Sequence, residues 1–396
     1  MAFGAIAVAV GVLCAIQDTV VVKANNAPVW GRGPKVVEEV RIGTLQGGEE
    51  YTFGRVLDVA VAEDGTVWVA DAQDHAIRRY SPDGRFIDRI GRSGKGPGEF
   101  GALGGLERLP DGRFAAWDTN LGRVSLFTSE GRFLKTISLA MMPVISIRNN
   151  VIDAFRADRN GRLFLIHVSI DRDDGARFRW LLVDTAGSVH DSIPYPSPET
   201  FGPSGAFKDY PFARMLPFST TTRGSPSPAG YLVIGRNSAY AFSLPRPDGK
   251  VLRIERSWEP APVGRQERAE WEALVTHAER RGSNRGGTSI PDRKPPYWGF
   301  WVDQEARIWV ARHTTAVRIP ESESERAKRT ETGAPPTEWW EPLVLDVIDP
   351  AGRFLGTVRL KDRKAVPKVA RGNKLWVLEQ GEFDEQYVVR YRIEAG

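Results

Sequence analysis

Short unbroken apolar runs recur in this chain, each just after the signal for a tight turn. Val67–Ala70 is such a run; Leu57–Val61 precedes it across Glu63-Asp64-Gly65-Thr66, and Ile77–Tyr80 follows it and ends before Pro82-Asp83-Gly84-Arg85. Asp-Gly pairs supply the positive φ that tight strand connections need, so the stretch predicts four short strands split by turns. The runs do not alternate apolar with polar positions. That is the look of strands buried on both faces.

Nearly the same text returns at Gly105–Leu134, with Pro110-Asp111-Gly112-Arg113-Phe114 and Ser129-Glu130-Gly131-Arg132-Phe133-Leu134 in matching places. Aligning on the first turn recovers six units, at Gly65, Gly112, Gly161, Gly230, Ala306 and Asn373. The strands that follow are Val67–Ala70, Phe114–Trp117, Leu163–Ile166, Leu232–Ile234, Ile308–Ala311 and Leu375–Leu378. A second turn recurs at Gly84, Gly131, Gly187, Gly249, Gly352 and Gly396. Repetition at about 40–50 residues predicts an all-β, six-bladed β-propeller. The last turn coincides with the end of the sequence, so the sixth unit lacks its outer strand. Val36–Ile42 is a spare strand that would complete it and remove an open sheet edge. Residues 36–396 are therefore expected to be one propeller domain, with 18–35 as a linker.

The units resemble NHL-type repeats, and the chain is similar to exported bacterial six-bladed propellers of that kind. The link Gly94-Lys95-Gly96-Pro97-Gly98-Glu99-Phe100 resembles the glycine-rich joint between such repeats. The likeness implies the fold; activities within the family are diverse.

Three excursions interrupt the pattern: Pro194–Arg214, Pro260–Pro295 and Thr314–Pro342. Connections from second to third strand and from blade to blade share one end of the disc, so all three are expected there. Within the second, Arg265–Arg281 places Trp271, Leu274 and Val275 on one stripe and predicts a short amphipathic helix between blades four and five, with Trp271 anchoring it to the rim. Glu321–Arg329 in the third is rich in charge and predicts a solvated loop.

Composition narrows the function classes. With 54 basic against 50 acidic residues, a net charge of +4 and the charges interleaved, no basic tract marks a nucleic-acid face. Phe3–Ile16 is an unbroken apolar run, too short to span a bilayer and suited to a signal-peptide core, so residues 1–17 are expected to direct export to the periplasm or beyond. The single cysteine, Cys14, lies inside that run, which leaves the propeller without a disulfide or a cysteine metal site. A monomer without a stable membrane span is expected.

The residue six positions after each first turn is polar or charged: Asp71, Asp118, His167, Arg236, Arg312 and Glu379. They end the second strands and are expected to circle the channel mouth on the insertion-bearing face, as a ligand site or as blade-to-blade ties. Two guanidiniums favour a carboxylate or phosphate. The leading expectation is thus a recognition module for a small anionic ligand or a protein or peptide partner, with Asp71 and Asp118 structural and the other four left for the ligand. The alternative is a metal-dependent hydrolase or lyase. Lactonase- or esterase-like relatives hold calcium at this mouth with carboxylate and amide oxygens, and no Asn or Gln occupies a ring position. Amidating-lyase-like relatives use several histidines on zinc, for which His75, His167 and His313 are the candidates. Gly96-x-Gly98-x-x-Gly101 matches a dinucleotide-binding string but precedes another strand, not a helix. Trp68, Trp309 and Trp376 share a register that fits packing between blades.

Overall fold

The structure is a computed structural model that describes residues 18–31, 33–139, 155–171, 175–194, 217–246, 248–281, 290–360 and 365–396. Six antiparallel sheets follow one another along these residues and form a six-bladed propeller. In blade one the strands are Val56–Val61, Val67–Asp71, Ala76–Tyr80 and Phe86–Ile90, counted outward from the axis, and the other blades repeat the order. Both faces of each inner sheet are covered by a neighbouring blade, which is why the runs lack alternation. Trp68 of blade one stacks on Phe114 of blade two with centroids 3.8 Å apart and planes 7° apart, while Val67 and Val69 of the same strand pack with Trp376 and Leu378 of blade six. Trp309 is fully buried, and Trp376 is 3 % exposed.

The turns fall where the glycines stand. Gly65, Gly112, Gly161 and Gly230 have φ between 74° and 91°, and the second-turn glycines from Gly84 to Gly352 have φ between 80° and 93°. Ala306 takes the same left-handed conformation at φ 61°, which costs a residue with a Cβ about 1 kcal/mol or more. Asp303 offsets this. Its carboxylate accepts the amides of Glu305 and Arg307 at 2.9 Å each and the Trp309 indole N–H at 2.8 Å. In blade six the positive φ sits at Gly372, not at the expected Asn373, because Arg371 pairs with Lys374 and leaves a two-residue loop.

The ring closes as the sequence predicts. Strand β2 (Lys35–Ile42) pairs antiparallel with Gln386–Glu394 as the outermost strand of blade six. The preceding segment departs from the linker expectation. Strand β1 (Thr19–Lys23) adds a fifth, parallel strand to blade four against Val251–Glu255. Asn26 then exchanges hydrogen bonds with the Phe354 backbone of blade five, and the Trp30 amide donates to the Leu355 carbonyl at 2.7 Å. A run of β-branched residues beside an open sheet edge pairs with it. Residues 18–42 thus clasp the outer edges of three consecutive blades. The expected export segment 1–17 lies outside the described residues, and among those described no helix is long and apolar enough to cross a membrane.

Helix α1 (Arg265–Arg280) forms between blades four and five as expected. A second helix, α2 (Glu323–Thr332), replaces the expected solvated loop. Its ends carry the stop signals that charge content obscured: Ser322 and Glu325 form a capping box, and Gly333 terminates it at φ 66°. Lys328 pairs with Asp384 and Ser324 donates to the Glu382 carbonyl, which fixes α2 to blade six. Both helices leave from the end of the disc at which the second strands finish. The first excursion, Pro194–Arg214, lies almost wholly outside the described residues.

Deleting residues 35–42 should abolish a single cooperative thermal transition, because it opens the ring. Deleting 18–23 should lower the midpoint and keep cooperativity. Circular dichroism melts of the two truncations distinguish these outcomes.

Candidate functional site

The six residues that end the second strands share one parity, and that parity decides what they touch. In blade five, Ile308 and Val310 pack toward blade four, whereas Trp309 and Ala311 pack toward blade six. Arg312 continues the first set. Each ring residue therefore points into the cleft toward the preceding blade, one strand away from the axis, because side chains alternate with period two. The six do not converge on the channel.

Asp71 is fully buried and accepts four backbone amides, from Gly54, Arg55, Gln73 and Asp74. Asp118 does the same with Gly101, Ala102, Asn120 and Leu121. Each carboxylate thus ties the link entering its blade to the connection leaving the second strand. Glu379 accepts from Arg41 of β2 and from Tyr391, so it belongs to the ring closure. His167 lies opposite Arg179 on the adjacent strand, and burial, aided by that charge, holds its imidazole below the usual pKa. Arg236 is exposed on the blade-three side. Arg312 is half-buried, 3.5 Å from the fully buried Asp346.

The axis carries different residues, which the repeat alignment did not single out. Asp58, Glu107, Arg156 and Lys368 come from the innermost strands of blades one, two, three and six. Gln304 Nε2 of blade five donates to Glu107 Oε1 at 3.2 Å, spanning the axis between opposite blades. Arg156 lies 3.3 Å from Glu107 and 3.8 Å from Asp58, and Lys368 Nζ donates to the Leu57 carbonyl at 2.7 Å. Burial lowers the Lys368 pKa, with Asp58 opposing and Arg156 adding to the shift. The cavity beside this bridge, about 40 Å³, has room for a few waters. These residues form a strut across the channel at the end away from the helices.

The helix-bearing end holds a second buried network. Lys294, 1 % exposed, reaches Glu267 of α1 at 2.6 Å, Glu341 at 3.2 Å and the Thr314 carbonyl at 2.8 Å. His313 Nδ1 meets Glu341 at 2.9 Å. Burial opposes the Glu341 charge, yet His313, Lys294 and the Thr314 amide together hold its carboxyl below the usual range. The Phe218 ring covers Lys294 Nζ and meets Trp271 edge-on at 6.0 Å. Trp271 is 37 % exposed, so α1 is anchored chiefly by buried Glu267, and Trp271 sits at its rim.

Beside this anchor lies the cleft between blades four and five. Asp346 accepts Tyr240 Oη at 2.8 Å and Thr357 Oγ1 at 2.6 Å, with Arg256 and Arg312 at 3.6 and 3.5 Å. Arg223, on the inner strand of blade four, pairs in register with Gly235. Tyr297, on the inner strand of blade five, pairs with Arg312. The described charges of this cleft are three guanidiniums against one carboxylate. Tyr297 Oη and Arg223 Nε are both buried and have no hydrogen-bond partner among the described residues. Burial raises the Tyr297 pKa, and the Arg223 charge opposes that shift. The sequence signal for this cleft was Gly235, which interrupts the apolar run Leu232-Val233-Ile234: a Cβ there would lie 2.6 Å from Tyr297 Oη.

Among the described residues no group of three His, Cys, Asp or Glu side chains stands close enough to hold a metal ion. His75, His167 and His313, the candidate zinc ligands, are not brought together as a group of three.

No family model matches the chain, and no curated protein matches it. Several solved structures align with most of the chain at TM-scores below 0.5. A Bacteroides fragilis protein described as exported aligns over 95 % of this chain and 99 % of its own, at 11 % identity and a TM-score of 0.48. The virginiamycin B lyase of Staphylococcus aureus aligns over 90 % and 99 %, at 11 % identity and 0.41. A gluconolactonase of Xanthomonas campestris aligns over 90 % and 89 %, at 13 % identity and 0.41.

Asp71→Ala should cost about 3 kcal/mol or more, since it leaves several buried amides without an acceptor; urea denaturation measures it, and a change under about 1 kcal/mol would show that the amides find other acceptors. Glu341 has a depressed folded pKa, so its contribution is present above the unfolded carboxyl value and is lost as pH falls. Amide exchange in α1 should accelerate below about pH 4.5. Constant α1 protection from about pH 6 down to about pH 3 would contradict that anchor.

Proposed function

We propose that this propeller is a recognition module that binds a small anionic ligand in the cleft between blades four and five, on the helix-bearing face. The observation that carries the reading is the charge imbalance there: Arg256 and Arg312 flank a single carboxylate, Asp346, and Arg223 adds a third guanidinium from the inner strand of blade four, beside Tyr297. Guanidinium forks suit carboxylate and phosphate oxygens, and partial burial strengthens the attraction. Asp71, Asp118 and Glu379 are saturated by the fold, so of the six ring residues Arg312 is the one this reading uses directly. Helix α1, fixed beside the cleft through Lys294 and Glu267, forms one wall of the approach.

Acetate, benzoate, inorganic phosphate and an acidic peptide, titrated calorimetrically into the full chain at two salt concentrations, test the proposal. At least one should bind, more weakly at high salt. Arg312→Gln should weaken it by about 1.5–3 kcal/mol while the thermal midpoint stays within a few degrees. Affinity unchanged in Arg312→Gln, or no binding by any of the four, would overturn the reading.

A further inference from the structure

Resting on that reading, we infer that the ligand is a monocarboxylate with an apolar or aromatic body, and that Tyr297 and Arg223 are the residues that select it. Tyr297 is 1 % exposed, and its hydroxyl is a buried donor with no acceptor among the described residues. Arg223 Nε is a second such donor, and Arg223 is the charged neighbour acting on the Tyr297 phenol. Leaving a buried hydroxyl unsatisfied costs stability that phenylalanine would not cost, so the fold alone gives no reason for the hydroxyl. Gly235 makes the space: any Cβ at that position would crowd Tyr297 Oη at 2.6 Å and the Phe300 ring at 2.8 Å.

The surroundings favour a carboxylate over phosphate. Tyr297 lies among rings, 5.3 Å from Phe242, 5.9 Å from Tyr240 and 6.0 Å from Phe300. One carboxylate offers two oxygens, one for each of these two donors, with Arg312, the cross-strand partner of Tyr297, supplying further charge. A phosphate carries more acceptor oxygens, and the excess would be desolvated unpaired against the rings. An apolar or aromatic body beyond the carboxylate would instead meet rings such as Phe218 and Trp271 at the surface of this face.

The test compares wild type, Tyr297→Phe and Arg223→Gln by calorimetric titration with benzoate, hexanoate and inorganic phosphate, alongside thermal melts. Benzoate or hexanoate should bind more tightly than phosphate. Tyr297→Phe should weaken that binding about five- to tenfold while leaving the melting midpoint equal or higher. Arg223→Gln should weaken it at least as much. If both variants bind the carboxylates as wild type does while Arg312→Gln still weakens an anion, the selecting role is wrong and the anion-binding reading stands. A lower midpoint in Tyr297→Phe with unchanged affinity would mean that the hydroxyl serves an internal water only. Tighter binding of phosphate would refute the ligand class, and wild type binding no anion would remove both this inference and the reading beneath it.

Discussion

The pairing of Lys35–Ile42 with Gln386–Glu394 is the interaction on which the rest depends. A propeller blade cannot bury its own faces; each sheet is covered by the two beside it, so an open ring would expose the flanks of blades one and six together. Closing the ring with a strand from the far end of the chain makes that burial cooperative. The clasp formed by β1, Asn26 and Trp30 along blades four and five extends the same device. It covers edges that would otherwise pair with another chain.

Closure also fixes how charge is distributed. With every inner strand buried on both sides, polar side chains are affordable only where the chain supplies partners: at strand ends, along the axis, and in the clefts. Asp71 and Asp118 are surrounded by amides of the links that enter their blades, and Glu107, Arg156 and Gln304 satisfy one another across the axis. The cleft between blades four and five differs from both arrangements. There the donors outnumber the acceptors, and the surplus lies beside the helix that the longest described connection contributes.

The architecture was legible because it rests on local signals repeated six times. Turn glycines, unbroken apolar runs and a spare first strand are all readable without knowing what touches what. The two misread segments fail for related reasons. Thr19–Lys23 becomes a strand only because blade four presents an open edge, and Glu323–Thr332 becomes a helix because Ser322, Glu325 and Gly333 outweigh its charged composition. The site was harder to read. Counting from the turns locates the ends of the second strands correctly, but the count is silent on parity, and parity turns Asp71, His167 and Arg312 sideways into clefts instead of toward a common pore. Residues such as Tyr297 and Arg223 matter through contacts between blades, which no repeat alignment contains.

This arrangement separates the parts of the molecule that must be stable from the part that can be reactive toward a ligand. The amide clamps and the axial strut are satisfied internally, so they contribute rigidity and have no capacity left for binding. An unpaired phenol and guanidine nitrogen in one cleft are the opposite case: they cost the folded state and gain only when an acceptor arrives. A scaffold closed on itself tolerates that cost because the packed faces of its blades hold the walls of the cleft in place. On the function proposed above, selectivity lies in the walls of two adjacent blades, while the bridge between Glu107 and Gln304 ties blades two and five across the channel.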